Sequence, residues 1–262
     1  MSSQGRIDMA DVTIRFGDFV AVEGADLSIE PGELVCLLGP SGCGKSTLLS
    51  AFAGFIAPYR GEIRADGEPV RGPHVSRGVV FQSSDALFPW LRAIDNVTFG
   101  SRLHAMGRAA RRDEALEFLR LVGLETAAAK YPPELSGGMR QRLQIARVLA
   151  NRPRIVLMDE PFGALDAQTR EVMQGELDRI WRETGCTIVF VTHDLNEALL
   201  LADRVVTMTA GPAAHIKNIH RIDLDHPRDV DDPELRRIHV ALRDDISEEV
   251  LRTMSSEGVT AA

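Results

Sequence analysis

Residues 39–47 read Gly-Pro-Ser-Gly-Cys-Gly-Lys-Ser-Thr, which matches the pattern GxxxxGK[ST]. The match follows an apolar run, Leu34–Leu38, and opens a helical pattern over Ser46–Phe52, the strand–loop–helix context that this motif requires. Glycines let such a loop turn its backbone N–H groups inward around a polyphosphate, because a Cβ would block the approach or forbid the dihedral angles. The chain is therefore expected to fold around a phosphate-binding strand end.

Individual residue types within this loop have predicted tasks. Lys45 offers a point charge to the β- and γ-phosphates of a nucleotide, and the Ser46 hydroxyl is suited to Mg²⁺. We expect the loop to contact the nucleotide through Gly39, Pro40, Ser41, Gly42, Cys43, Gly44, Lys45, Ser46 and Thr47. The alternative, a glycine-rich turn without a ligand, is disfavoured because every position of the motif and its context match.

A second apolar run, Ile155–Met158, ends in two carboxylates, Asp159 and Glu160. Beside a phosphate loop, Asp159 is placed to hold Mg²⁺ directly or through water. Glu160 is then placed to polarise a water for attack on the γ-phosphate. A strand ending in Asp-Glu alone indicates only a solvent-exposed end, but paired with the loop it predicts phosphoryl-transfer chemistry.

The apolar pattern predicts an α/β fold. The runs predicted to be fully buried strands are Leu34–Leu38, Ile155–Met158 and Thr187–Val191. Each precedes a loop and a helical pattern, for example the pattern over Ala167–Thr184 after Ile155–Met158. This order is typical of parallel strands with helical crossovers. Alternation in Asp11–Phe16, repeated at Leu27 and Ile29, adds an antiparallel β piece near the N-terminus.

Three units are predicted along the chain: a core from 1–82 and 135–210, a helical subdomain from 83–134, and a C-terminal β stretch with an amphipathic helix from 211–262. The second unit carries predicted helices over Ala93–Ala105 and Ala109–Val122. In the third, Pro233 follows a good helix start, and an apolar stripe comprises Leu235, Ile238, Leu242 and Ile246. We expect this stripe to pack on the core, with a regulatory or dimerising role as the alternative.

Composition narrows the classes of partner. The 262 residues are 44% apolar, enough for a large core, and carry a net charge of −8, so no global positive field attracts nucleic acid. An odd number of scattered cysteines, three, favours reduced thiols and a cytosolic compartment. The polar N-terminus lacks the apolar core of a signal peptide, so a membrane role would be peripheral.

A third motif, Leu135–Arg142 with the sequence LSGGMRQR, begins a predicted helix. Ser136 is a good N-cap, and Gly137 and Gly138 leave the first helical N–H groups open to an anion. The segment resembles the signature motif of the nucleotide-binding subunits of ABC transporters, with Met139 where that family usually has Gln. The resemblance implies a P-loop NTPase core of the RecA-like type, with an antiparallel β subdomain and a helical insertion.

The same resemblance implies roles for further residues. Phe16 is similar to the aromatic that stacks on adenine, with Phe19, or burial of either ring in the core, as the alternatives. Gln82 resembles the glutamine that touches Mg²⁺ or the attacking water. The segment Gly163–Asp166 resembles the family's loop that crosses to the opposite subunit, and His193 resembles the switch histidine on the γ-phosphate.

By this resemblance, ATP and Mg²⁺ lie between the phosphate loop of one copy and Ser136, Gly137 and Gly138 of a second, packed head to tail. The implied catalytic residues are Glu160, His193, Gln82 and Lys45, and the implied metal ligands are Ser46, Gln82 and Asp159. The segment Gln82–Trp90 would contact integral-membrane permease subunits, with an external solute-binding protein acting indirectly. The implied location is the cytoplasmic face of a bacterial plasma membrane.

The segment Leu87–Trp90, with Ile94–Val97 after it, resembles the importer group for nitrate, sulfonates and taurine. Phe88 and Trp90 would form an apolar rim for a permease helix; alternatively, both pack under the helical insertion. Import of a pyrimidine-like compound or aromatic acid, or a non-transport ABC ATPase, are the alternative functions. The last is disfavoured because neither heptads nor cysteine pairs separate the phosphate loop from the signature.

Overall fold

The computed structural model describes residues 4–83, 86–101, 107–229 and 231–256. In these ranges the larger sheet has six strands in the order β10-β9-β3-β8-β7-β6. Its strands are β3 (Leu34–Leu38), β6 (Arg77–Val80), β7 (Ile155–Asp159), β8 (Thr187–Thr192), β9 (Arg204–Met208) and β10 (Ile216–Arg221). All neighbours pair in parallel except β10, which runs antiparallel to β9 at one edge.

The smaller sheet is antiparallel, with the order β2-β1-β4-β5 in the described residues. Its strands are β1 (Ile7–Phe16), β2 (Phe19–Ile29), β4 (Arg60–Ala65) and β5 (Glu68–Pro69). The predicted N-terminal β piece is thus confirmed, whereas β4 and β5 were not predicted. In β4 only Ile63 and Ala65 are buried, so its sequence, RGEIRA, carries little of the alternation that marks a half-buried strand.

Helices connect the strands of the larger sheet. They are α1 (Lys45–Ala53), α2 (Ala93–Ser101), α3 (Arg108–Leu121), α4 (Gly137–Leu149), α5 (Ala167–Thr184), α6 (Leu195–Leu201) and α7 (Pro233–Ser256). The predicted helix over Ala93–Ala105 is confirmed as far as Ser101, and its last residues lie outside the described ranges. The other predicted helices agree with α1, α3, α4, α5 and α7 to within a few residues.

Both faces of the larger sheet are buried, and β3 shows this residue by residue. Leu34, Cys36 and Leu38 belong to a hydrophobic cluster formed with the helices of one side, whereas Val35 and Leu37 belong to a cluster with α1 and the smaller sheet. Burial on both faces explains why β3 is apolar throughout rather than alternating.

The strands of the larger sheet that carry the predicted site end at one edge. Leu38 pairs with Thr192, and Asp159 pairs with Val191, so the ends of β3, β7 and β8 lie side by side. Val80, at the end of β6, pairs with Met158. Parallel sheets bind ligands at the carboxyl ends of their strands, so this edge is where a site is expected.

Helix α7 packs on the core, as its apolar stripe predicts. Leu235 and Leu242 are fully buried, and Ile238 and Ile246 pack against the same cluster. Asp232 caps the helix by accepting from the backbone N–H of Glu234 at 2.7 Å. Among the described residues, no helix combines the length and apolar character needed to cross a membrane.

Candidate functional site

The loop between β3 and α1 has the backbone that the glycine pattern predicts. Gly42 and Gly44 have φ angles of +77° and +89°, which favour residues without a Cβ. A Cβ on Gly44 would lie 2.8 Å from Val22 Cγ2 and 3.2 Å from Ala21 O, so β2 presses directly against the loop. Gly42 instead faces open space, leaving room for a ligand on that side.

The Lys45 side chain is buried inside this loop, with 8% of the residue exposed. Its ammonium donates to the backbone oxygens of Gly39 at 2.9 Å and Pro40 at 2.7 Å. Both acceptors are neutral carbonyls, and a buried charge is stabilised fully only by an opposite charge. The loop therefore holds a cation that is ready for an anionic ligand.

Ser46 and Asp159 meet at the edge of the sheet, where the Ser46 hydroxyl donates to Asp159 Oδ1 at 3.0 Å. Burial raises the pKa of Asp159, and repulsion from Glu160 adds to the rise, while the Ser46 hydrogen bond and Lys45 oppose it. A hydroxyl and a carboxylate are hard oxygen donors that suit Mg²⁺. That ion needs few protein ligands because it retains waters and phosphate oxygens. The pair therefore fits the predicted metal.

Glu160 lies between two predicted residues. Its Oε2 accepts from the Gln82 amide at 3.0 Å, and its Oε1 lies 3.2 Å from His193 Nδ1. Its φ angle is +45°, and its backbone N–H donates to Val191 O at 3.0 Å. This unusual backbone conformation, fixed by the neighbouring strand, turns the carboxylate toward both partners.

The signature segment lies apart from this cluster. Ser136 is exposed, and its hydroxyl caps α4 by accepting from the Met139 N–H at 3.3 Å. Gly138 faces Ala164 and Leu165, where a Cβ would lie 3.4 Å from Ala164 O. The predicted anion-binding helix end therefore points to solvent, with Gly137 exposed beside Ser136.

Asp166, predicted to cross to a second copy, caps α5 in this chain. It accepts from the Thr169 N–H at 2.9 Å and from the Thr169 hydroxyl at 2.8 Å. Asp166 is nevertheless solvent-exposed, so its capping role does not prevent contact with a second copy.

Both candidate aromatics near the N-terminus are exposed. Phe16 and Phe19 flank the turn between β1 and β2 and pair with each other in the hairpin. Phe16 is 49% exposed and Phe19 is 53% exposed, so the interpretation of either ring as a core residue is wrong. Both rings are therefore available for stacking on a ligand.

Two glutamines of α4 hold the Gln82 segment in place, and the sequence analysis missed them. Gln141 and Gln144 are fully buried and donate to Phe81 O at 3.3 and 2.7 Å. Their link ties the segment before Gln82 to the helix that begins with the signature. Neither residue stood out because a glutamine in a helical pattern usually marks an exposed face.

Arg170, also missed, joins the Asp166 loop to the segment around His193. It donates to Leu165 O at 3.2 Å and lies 3.6 Å from Asp194 and 3.7 Å from Glu197. Glu197 is buried and accepts from the Thr192 hydroxyl at 2.6 Å. Burial raises the pKa of Glu197. These contacts hold Thr192 and Asp194, the two residues that flank His193.

Comparisons with known proteins find a matching family model and similar sequences. A family model described as ABC transporter matches residues 22–163. The taurine import ATP-binding protein TauB of Chromobacterium violaceum is 53% identical over 199 residues, 76% of each chain. The nitrate import ATP-binding protein NrtD of Synechococcus elongatus is 46% identical over 235 residues, 87% of this chain and 85% of the relative.

Solved structures show the same fold. The dimeric ATP-binding cassette MJ0796, described as a bacterial ABC transporter cassette, is 34% identical, with a TM-score of 0.76. The match covers 84% of this chain and all of the other. A post-hydrolysis dimer of the same cassette, bound to ADP and Pi, is 33% identical, with a TM-score of 0.75 and the same coverage of both chains.

The raised pKa of Glu197 predicts a pH-dependent effect of Glu197→Gln. The folded chain holds a proton on this carboxyl more tightly than the unfolded chain, so the stability it contributes at low pH is lost as the pH rises through the raised pKa. Glutamine does not titrate. The free energy of unfolding of the variant, relative to the parent, should therefore rise with pH above about 4.5.

Urea unfolding at a series of pH values measures this difference. Glu171→Gln, at an exposed position on α5, is the matched control and should show no such trend. A relative stability of Glu197→Gln that stays constant or falls with pH would contradict the assignment.

Proposed function

This chain belongs to the ABC transporter ATP-binding proteins, and we propose that it is the ATP-hydrolysing subunit of a multi-subunit importer. The observation that carries the proposal is the meeting of Ser46 with Asp159, and of Gln82 and His193 with Glu160, beside a phosphate loop. The two clusters provide oxygen ligands for a metal and a positioned carboxylate within one edge of the sheet.

In the proposed complex, the triphosphate lies against the loop from Gly39 to Thr47. Lys45 exchanges its two carbonyl acceptors for oxygens of the β- and γ-phosphates, which supply the negative charge that its burial demands. Gly42 leaves its side of the loop open to the phosphates. The adenine stacks on Phe16, with Phe19 as the alternative from the same hairpin.

Ser46, Asp159 and Gln82 are the proposed metal-binding residues. When bound there, Mg²⁺ neutralises charge on the transferring phosphoryl group. Glu160 is the proposed base that polarises the attacking water, and His193 is the proposed γ-phosphate contact. The two hydrogen-bonding partners of Glu160 keep its carboxylate in one orientation, which favours in-line attack.

We propose that two copies bind head to tail around two ATP molecules, so that Ser136, Gly137 and Gly138 of one copy complete the site of the other. Three features support this arrangement. The signature helix end is exposed, its open N–H groups suit a phosphate, and Asp166 stands exposed beside it. One cassette of the same fold, MJ0796, is solved as a dimer in two structures.

The proposed permease surface is the segment Gln82–Trp90, of which Ser84 and Asp85 lie outside the described residues. After Gln82, the segment belongs to the proposed helical subdomain, 83–134. Trp90 is 70% exposed, so the interpretation that it packs under the helices is wrong. Phe88 is half-buried against Phe99, with ring centroids 4.5 Å apart. The fully buried Asn96 fixes the turn by accepting from Phe88 N–H at 2.9 Å and donating to Leu91 O at 3.0 Å.

This arrangement presents the Trp90 ring on a rigid support, which suits an anchor in a protein interface. The chain would then sit on the cytoplasmic face of the membrane through its permease. The proposed units 1–82 with 135–210, and 211–262, form the remainder of the subunit.

A small anion of the nitrate, sulfonate or taurine type is the proposed solute. Relatives named for nitrate and taurine import support this class, and a bicarbonate transport ATP-binding protein of Synechococcus elongatus is 45% identical over 224 residues. All three relatives are named for anionic or zwitterionic small solutes. A pyrimidine-like compound or an aromatic acid is the alternative.

Glu160→Gln tests the base assignment. The amide preserves the shape of the side chain but cannot take a proton, so ATP should still bind while kcat falls by at least about a hundredfold. Size-exclusion chromatography with light scattering should detect a dimer in Mg-ATP, because hydrolysis no longer releases it. Glu171→Gln is the control. Turnover at the parent rate would remove Glu160 from the role.

Trp90→Ala tests the permease surface. Loss of a central aromatic anchor should weaken association with the permease complex by about tenfold or more. Co-purification from membranes and titration of detergent-solubilised permease measure the effect. Tyr59→Ala is the control, because Tyr59 is an aromatic of similar exposure that directly precedes β4, outside the proposed permease surface. Unchanged association of Trp90→Ala would place the permease surface elsewhere.

A further inference from the structure

The connection after β9 lies directly behind the phosphate loop. We define the 210–214 loop as Ala210, Gly211, Pro212, Ala213 and Ala214. A Cβ on Gly211 would lie 3.3 Å from Gly42 O and 3.9 Å from Cys43 Cα, so the two backbones are in near contact. Residues far along the chain therefore form one wall behind the phosphate loop.

The 210–214 loop also holds β2 against the phosphate loop. Ala213 N–H donates to Val20 O at 2.8 Å, and Ala214 N–H donates to Ala21 O at 3.2 Å. Glu23 N–H donates back to Ala214 O at 2.9 Å. Since Ala21 and Val22 press on Gly44, the 210–214 loop supports the phosphate loop from two directions.

One side chain of α7 fixes this loop. Glu249 is 1% exposed, and its Oε2 accepts from the Ala210 N–H at 2.9 Å. Its Oε1 accepts from Lys217 Nζ at 2.8 Å and from Arg252 at 3.0 Å. Burial alone would raise the pKa of Glu249, but the hydrogen bonds from Lys217 and Ala210 outweigh it and lower the pKa.

A second carboxylate of α7 reinforces the same region. Asp245 accepts from the Thr207 hydroxyl at 3.0 Å and lies 2.8 Å from His220 Nε2. Thr207 pairs with Leu38, the residue before the phosphate loop. The polar face of α7 is thus hydrogen-bonded to β9 and β10, the strands on either side of the 210–214 loop. Its apolar stripe packs on the core.

We propose that Glu249 is a positioning residue for nucleotide binding: through the 210–214 loop it fixes the phosphate loop, so that α7 sets the affinity for ATP. This rests on the proposed function. The physical reason is that a phosphate loop binds through fixed backbone N–H groups, and any freedom left to that backbone must be lost on binding. Within the described residues, the hydrogen bonds of the Glu249 carboxylate go to Ala210, Lys217 and Arg252 and not to the Glu160 cluster, so kcat is expected to change little once ATP is bound.

Glu249→Ala tests the proposal, because it removes the hydrogen bonds of both carboxylate oxygens, to Ala210 on one side and to Lys217 and Arg252 on the other. The dissociation constant of a fluorescent ATP analogue, measured in the presence of Mg²⁺, should rise about tenfold, and so should the KM for ATP. The kcat should change less than about twofold. Glu249→Gln keeps an acceptor for Ala210 but loses the charge, so it should show a smaller rise. Glu248→Ala is the matched control, since Glu248 is exposed and also contacts Lys217 and Arg252.

A rise in KM for Glu249→Ala beyond that of Glu248→Ala supports the proposal, and equal affinities in all folded variants overturn it. A lower melting temperature with unchanged affinity assigns Glu249 a structural role only and also overturns it. Should Glu249→Ala not fold, Gly211→Ala tests the same contact from the loop side and is expected to weaken binding. Failure of the parent chain to bind the analogue would instead refute the proposed function.

Discussion

The ammonium of Lys45 is buried, and its hydrogen bonds go to uncharged groups: the carbonyl oxygens of Gly39 and Pro40 and the Cys43 thiol. The surrounding structure is arranged about that charge. A buried cation without an anion is costly, so the loop gains most from a ligand rich in negative charge. Positive φ angles at Gly42 and Gly44 make the tight loop possible, and β2 closes it from one side. The folded phosphate loop therefore favours binding of an anion next to Lys45.

The larger sheet places the other candidate site residues beside the phosphate loop, because its central strands end at the same edge. The pairings of Leu38 with Thr192, and of Asp159 with Val191, bring the phosphate loop, the proposed metal-binding pair and the Glu160 cluster to one edge. Polar side chains next to this edge hydrogen-bond the segments that carry the site. Gln144 holds the segment before Gln82, and Arg170 joins the loop after Glu160 to the segment after His193. The signature helix end remains outside this edge and faces solvent, which is why the proposal requires a second copy.

Much of this arrangement could be predicted because local sequence and burial agree. The run Leu34–Leu38 matches β3 residue for residue, and the helical pattern beginning at Ala167 matches α5, since each has an uninterrupted apolar signal. The strand β4 escaped prediction because most of its side chains are exposed. Gln141, Gln144 and Glu249 escaped because only tertiary packing buries them, and no spacing rule distinguishes a buried glutamine or glutamate from a solvated one. The choice between Phe16 and Phe19 stays open because both rings flank the same turn and are similarly exposed.

The proposed ATPase site is shared between two copies of the chain, and mixing two inactive variants tests this sharing directly. Lys45→Ala removes the proposed phosphate contact of one copy. Ser136→Glu places a negative charge at the N-terminus of α4; the helix tolerates this charge, but the charge repels a phosphate from the partner copy. Each variant alone should lack ATPase activity. An equimolar mixture should recover up to about a quarter of the parent activity, because half of the dimers then contain one intact site. No recovery from two folded variants, or full activity of Ser136→Glu alone, would contradict the shared site.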